Sequence, residues 1–174
     1  GERIAMGIGL VPEDRQRDGL VQTMDVGKNL TLASIGQFLT RGFLDRRKEA
    51  TLARSMMKDV TVKAAGPSVP IGALSGGNQQ KVVIGKILAT DPGAMLLDEP
   101  SRGIDIGAKA EVFGLLAGKA REGLAVVYTT SELDECFAIA HRIVVLRRGR
   151  ISAEFGPDAA KADVMAASGE VVTS

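Results

Sequence analysis

The sequence has one cysteine, one histidine, one tyrosine and no tryptophan. A lone cysteine, Cys136, excludes an intramolecular disulfide, and a reducing compartment fits that usage. The scarcity of aromatic rings removes the stacking platforms on which single-stranded nucleic acid is bound. The formal net charge is +1, so no overall field draws the chain to nucleic acid or to an anionic bilayer. Long apolar runs are missing too. Ala94–Leu97 and Ile143–Leu146 are among the longest, far short of the roughly 20 residues of a membrane helix. No signal peptide opens the chain. It begins Gly1-Glu2-Arg3 without a methionine, which points to a fragment or a processed chain. Internal repeats and low-complexity segments are absent, and so is any Gly-x-x-x-x-Gly-Lys-Ser/Thr string.

What is present is ordinary for a globular chain: 174 residues, 45% apolar and 25% charged. That length suits one domain, which would bury roughly two-thirds of its extended-chain surface. The short basic clusters Arg15-Gln16-Arg17 and Arg46-Arg47-Lys48 read as solvated faces. Cys136 lies beside Leu133, Phe137 and Ala140 at helical spacing, which predicts core packing rather than chemistry.

Apolar patterning gives a coarse map. Ile8–Val11 reads as a buried strand stopped by Pro12, followed by a polar loop over 13–19. A helical pattern runs from about Asp25 to Lys58, with Asp25 and Asp45 as candidate N-caps. Gly66-Pro67-Ser68 breaks it. The turn-like Leu74–Asn78 leads into a helix with Val82, Val83, Ile87 and Leu88 facing inward. Ala94–Leu97 reads as a buried strand ending in Asp98 and Glu99. A helix over 107–122, a strand over 125–129, a helix over 131–140, a strand over 143–146, a turn over 147–149 and a short strand over 151–155 follow. Asp158 is a candidate cap for a last helix, and 168–174 has little to bury. This alternation predicts an α/β fold with parallel strands covered by helices. His141 reads as a solvent or packing residue.

Leu74-Ser75-Gly76-Gly77-Asn78-Gln79-Gln80-Lys81 is the strongest local feature. Adjacent glycines let backbone approach a ligand closely, Ser75 offers a hydroxyl, and the helix start favours an anion such as phosphate. The plainer reading, a serine-capped helix start, fits Ser-Gly-Gly alone. The full string resembles the signature motif of the ATP-binding cassette ATPases. Ala94-Met95-Leu96-Leu97-Asp98-Glu99-Pro100 is similar to that family's Walker B strand, in which an Asp can hold Mg²⁺ and the next Glu can polarise the attacking water. Ser101-Arg102-Gly103-Ile104-Asp105 resembles its D-loop. The string from Glu99 to Lys109, with Pro12–Leu20, looks most like the ATPases of bacterial sugar importers, and among these like the second of two fused cassettes.

The resemblance covers about Ile8 to Ile151 and implies a partial P-loop NTPase (RecA-like) core, 1–24 and 90–158. It also implies an inserted α-helical subdomain, 25–89, and a C-terminal helix and tail, 159–174. It further implies ATP and Mg²⁺ as ligands, with Asp98 on the metal and Glu99 as the catalytic carboxylate. Ser75, Gly76, Gly77 and Gln79 would contact ATP held by a partner cassette, and Glu13, Ser131 and Asp105 would complete the nucleotide contacts. Implied partners are a second cassette, fused or dimeric, transmembrane permease subunits and, indirectly, a periplasmic solute-binding protein. The location would be the cytoplasmic face of the bacterial inner membrane, and nucleic acid is not expected. Two positions depart from the family: Glu13 stands where Gln is usual and Ser131 where His is usual, so this cassette's own ATP site should be weak. The phosphate loop would lie upstream of Gly1, making the chain the end of a longer protein and a poor ATPase alone. Two other classes stay open: a soluble cassette protein acting on ribosomes or DNA, and a non-catalytic module for dimerisation and coupling.

Overall fold

The computed structural model describes residues 6–40 and 42–169. The opening Gly1-Glu2-Arg3 and the tail beyond Gly169 lie outside the described residues. The chain divides into two compact units, 1–129 and 130–174.

In the first unit β1 spans Ile8–Val11. The segment expected to be a loop contains one wide helical turn, Arg15–Gly19, where the Asp14 carboxylate accepts the N–H groups of Gln16 and Arg17. Then comes α1 (Val26–Thr31), capped by Asp25, which accepts the Lys28 N–H at 2.8 Å. The helical pattern does not run on as expected. A 3₁₀ stretch, Leu32–Phe38, leads into a small antiparallel hairpin of β2 (Leu39–Thr40) and β3 (Phe43–Leu44). Gly42 in its turn has φ +83°, a conformation that favours glycine. After it, α2 (Arg46–Asp59) starts at Asp45, whose carboxylate accepts from Arg47 and Lys48. Both Asp caps satisfy backbone donors left open by the first helical turn, each contributing about 1 kcal/mol.

Next come α3 (Gly76–Leu88), β4 (Ala94–Asp98), α4 (Ile106–Arg121) and β5 (Ala125–Thr129). The sheet order is β1-β4-β5, with both pairings parallel, as the strand–helix alternation predicts. One face of this sheet carries the core. Met95 and Leu97 are buried, as are Val82, Val83 and Ile84 of α3 and Val112 and Leu116 of α4. Each such side chain contributes roughly 1.5–3 kcal/mol by leaving water. Ile87 and Leu88 are only half-buried. Contact between α3 and β1 is so close that a Cβ on Gly9 would fall 2.1 Å from Ile87 Cγ2. Phe113 and Tyr128 join α4 to β5 with ring centroids 5.5 Å apart. The other face is exposed: Leu10, Leu96 and Val127, aligned across the three strands, are 60%, 36% and 59% accessible. β1 and β4, expected to be buried strands, are buried on one side within these residues.

The second unit holds α5 (Leu133–Ile139), β6 (Ile143–Arg147), β7 (Arg150–Phe155) and α6 (Lys161–Ser168). Here the parallel expectation fails. β6 and β7 pair with each other, antiparallel. Arg148 and Gly149 have φ +50° and +75°, the conformation of a two-residue hairpin turn. Two residues can reverse a strand but cannot return it for parallel pairing, which takes a dozen or more. Ile143, Val145 and Val164 form the core, packed by Leu133, Cys136, Phe137 and Phe155. Cys136 is thus a packing residue. Burial, and then the neighbouring Glu135 charge, raise its thiol pKa and keep it protonated. Asp158 does not cap the last helix, which starts after Ala160 with no side-chain cap. His141 is exposed, just before β6.

Candidate functional site

Parallel pairing brings the carboxyl ends of β1, β4 and β5 to one edge, where open α/β sheets bind ligands. Glu13 follows β1, Asp98 and Glu99 end β4, and Thr129 ends β5. Asp98 is exposed, and its Oδ1 accepts the Thr129 hydroxyl at 2.5 Å. Glu99 has φ +43°. That left-handed backbone is rare for a side chain of this size and costs about 1–3 kcal/mol, a strain that clusters at functional sites. It ends the strand abruptly. The Glu99 N–H is held by the Thr129 carbonyl at 3.2 Å and the Glu99 carbonyl accepts the Arg102 N–H at 3.0 Å. Glu13 forms an ion pair with the Arg102 guanidinium. Its extra charge, which would repel a polyphosphate, is thus partly offset within the chain.

No cluster of three or more His, Cys, Asp or Glu side chains that could hold a metal occurs among the described residues. Mg²⁺ beside a nucleotide needs only one or two carboxylates, with phosphate and water oxygens completing its shell. The exposed Asp98 fits that smaller demand.

The start of α3 forms the second part of the site. Ser75 occupies the N-cap with φ −60° and ψ 157°, yet its side chain makes no cap hydrogen bond. Its exposed hydroxyl oxygen instead accepts from Asn78 Nδ2 at 3.0 Å. Asn78 Oδ1 in turn accepts the Lys63 N–H at 2.8 Å. The first turn of α3 is therefore left without a cap from its N-cap side chain, an arrangement that favours an anion. The two glycines do more than admit a ligand. A Cβ on Gly77 would lie 2.3 Å from Ala108 Cβ, and one on Gly76 would lie 2.7 Å from Arg15 Nη2. They let α3 pack against α4 and against the turn after β1.

Other expected site residues fall differently. Gln79 is 6% exposed and its amide donates to the carbonyls of Ile71 and Leu74, so it braces the turn before α3. Asp105 caps α4, accepting the Ala108 N–H at 2.9 Å. Ser131 belongs to the second unit and is exposed there.

Sequence reasoning missed several residues here. Arg15 is no solvated charge: it is half-buried and donates to the carbonyls of Arg102 at 2.8 Å and Gly103 at 3.1 Å. Nothing local in Arg15-Gln16-Arg17 signals those partners. Thr129 carries no motif signal either. Asn78 sat in the quoted string, and its place in the first turn of a helix was a usable hint. Lys81 is 1% exposed, its ammonium bound to Glu111 at 2.7 Å and to the Thr61 carbonyl at 2.8 Å. Lys63 bonds the other Glu111 oxygen at 2.6 Å. Hydrogen bonds from Lys63 and Lys81 pull the Glu111 carboxyl down to about 2, and the bond to Glu111 raises Lys63.

Comparison with known proteins identifies the family. Residues 2–102 match the family model described as ABC transporter. The chain is 43% identical over 157 residues to the xylose import ATP-binding protein XylG of Burkholderia ambifaria, covering 90% of this chain and 30% of that protein. It is 44% identical over 168 residues to the ribose import ATP-binding protein RbsA 2 of Rubrobacter xylanophilus, covering 96% of this chain and 32% of that protein. It thus spans about a third of the length of the curated relatives it matches. Among solved structures, the dimeric post-hydrolysis state of the ATP-binding cassette MJ0796 bound to ADP and Pi superposes with TM-score 0.72. That match is 24% identical and covers 87% of this chain and 63% of the other. An α/β sheet with P-loop NTPase topology, the string around Ser75 and the family match over 2–102 converge on one assignment: the chain belongs to the ABC transporter family, as an ATP-binding domain related to the sugar-import ATPases.

Proposed function

We propose that this chain is the nucleotide-binding part of an importer for a sugar or related small solute, and that its signature acts in trans. In this reading Ser75, Gly76 and Gly77 meet the γ-phosphate of ATP held by a second cassette, fused or dimeric. The observation that carries it is the start of α3: a serine at the N-cap whose hydroxyl does not cap, so that the first turn has no cap from its N-cap side chain. A serine kept only for helix stability would close that end.

Asp98 would hold Mg²⁺, whose positive charge would offset that of the triphosphate. Glu99 would orient and polarise the attacking water. The Thr129 hydroxyl fixes Asp98, and its carbonyl fixes the backbone of Glu99. A strained Glu99 argues against a purely scaffolding role, since strain persists where the surroundings enforce it. Glu13, paired with Arg102, and Ser131, with no charge to offer the γ-phosphate, would leave the site in cis the weaker of the two. Asp105 would sit at the interface between cassettes, and Gln79 would support the signature from beneath. The core segments 1–24 and 90–158 would carry the nucleotide, and the helical segment 25–89 would press on the permease subunits. A periplasmic binding protein would deliver solute from the far side. No described helix is long and apolar enough to cross a membrane. By its likeness to importer ATPases, the chain would work at the cytoplasmic face of the bacterial inner membrane through those subunits.

The test compares two variants in the intact transporter. Ser75→Arg should lower ATPase activity more than Glu99→Gln does. The reverse order of severity would overturn the division of labour between trans signature and cis carboxylates.

A further inference from the structure

We propose that Arg15 is a positioning residue that fastens the Ser101–Asp105 turn to the start of α3, so that the signature and the strand-end carboxylates keep a fixed mutual geometry. Its bearing on hydrolysis rests on the reading of Ser75–Gly77 as a phosphate site.

The argument starts at the turn that carries Arg15. Arg15–Gly19 is seated on α3: a Cβ on Gly19 would lie 3.0 Å from Val83 Cγ2, and the Lys86 ammonium donates to the Gly19 carbonyl. Arg15 therefore leaves a fixed base. Its guanidinium reaches across to two consecutive carbonyls, Arg102 at 2.8 Å and Gly103 at 3.1 Å. The planar fork of arginine suits two neighbouring acceptors; a lysine offers one nitrogen. Between base and turn the guanidinium is wedged against Gly76, where an added Cβ would lie 2.7 Å from Nη2 and 3.2 Å from the Gly103 carbonyl oxygen. Arg15 Nε is buried without an acceptor. A charge placed at that cost serves the contacts its Nη atoms make. The neighbouring Glu13–Arg102 pair is largely exposed, so it holds the turn weakly. Arg15 is the stronger tie.

Three segments thus meet at one side chain: the turn after β1, the D-loop-like turn and the first signature glycine. The turn 101–105 begins two residues after Glu99 and ends at the Asp105 cap of α4. Freeing it would let Glu99 and Gly76 drift apart without removing any group that touches nucleotide.

The test uses the full-length ATP-binding polypeptide assembled with its membrane subunits, with ATP as the nucleotide. Arg15→Met keeps the aliphatic stem and removes the fork; Arg15→Lys keeps a charge and folds more safely. For Arg15→Met the expected result is about a 10-fold rise in amide exchange over 101–105 and about a 10-fold fall in kcat, with KM for ATP within about twofold. Arg15→Lys should recover less than about a third of the lost kcat, because one nitrogen cannot satisfy both carbonyls. Unchanged exchange over 101–105 in both variants overturns the proposal. So does raised exchange with a wild-type kcat. Ser75→Arg, measured alongside, separates the two readings. If it is silent while Arg15→Met lowers kcat, the phosphate reading of Ser75 fails and the clasp stands.

Discussion

Two helices in the first unit begin in similar surroundings and end their first turns differently. α3 starts at Ser75 and α4 at Asp105; both N-caps are exposed and extended, and the two helices pack where Gly77 meets Ala108. Asp105 turns its carboxylate onto the Ala108 N–H and closes its helix. Ser75 leaves its helix open, its hydroxyl engaged by Asn78. A capped start stabilises a fold, whereas an open one keeps N–H groups and a positive dipole end for something else. The difference separates a helix that supports the site from one that belongs to it.

The comparison can be broken most forcefully by closing the open end. Ser75→Asp should cap α3 and raise stability by about 0.5–1 kcal/mol. The same carboxylate should repel the γ-phosphate and lower ATPase activity of the intact transporter by about 100-fold. A thermal midpoint and a steady-state rate check the two opposite signs; activity near wild type would mean that the open end serves no anion. Opening the closed end should do less. Asp105→Ala should cost about 1 kcal/mol of stability through the lost cap, read as a lower urea midpoint.

The smallest effect is expected from acid, at the clamp that holds the two helices side by side. Lys81 of α3 and Lys63 both bond Glu111 of α4. The folded carboxyl titrates at about 2 instead of its ordinary 4.5. Folded pKa lies below unfolded pKa, so this contribution is complete above about pH 4.5 and is lost as pH falls toward 2. Glu111 is well exposed, so solvent screens the interaction and the slope should be modest. Denaturant midpoints at a series of pH values would show it, and Glu111→Gln should flatten the curve over that window.

Much of the first unit was legible in the sequence because its signals are local. Pro12 ends β1, Asp25 and Asp45 cap the helices that follow them, and the run Ala94–Leu97 becomes a strand. The hairpin at Leu39–Leu44 was hidden because Leu39 and Phe43 are exposed apolar residues that continue a helical spacing. The pairing of β6 with β7 was misjudged because alternation of strand and helix says nothing of which strand is the neighbour. The turn read over 147–149 is where the chain reverses, and its two positive-φ residues make the pairing antiparallel. In the site, Ser75, Asp98 and Glu99 stood out by motif. Gln79 was drawn in by the same motif, although its side chain points into the fold.

By itself the sequence determined the elements and the residue types at the site, because capping, strand length and glycine tolerance depend on neighbours a few positions away. Only the tertiary structure decided which groups cooperate. Arg15 meets Gly103, Thr129 meets Asp98 and Lys81 meets Glu111 across separations of 88, 31 and 30 residues. Parallel strands bring distant chain ends to a common edge, and helices packed through glycine bring backbone within reach of side chains. Those contacts depend on register and packing geometry, which no short window of sequence contains.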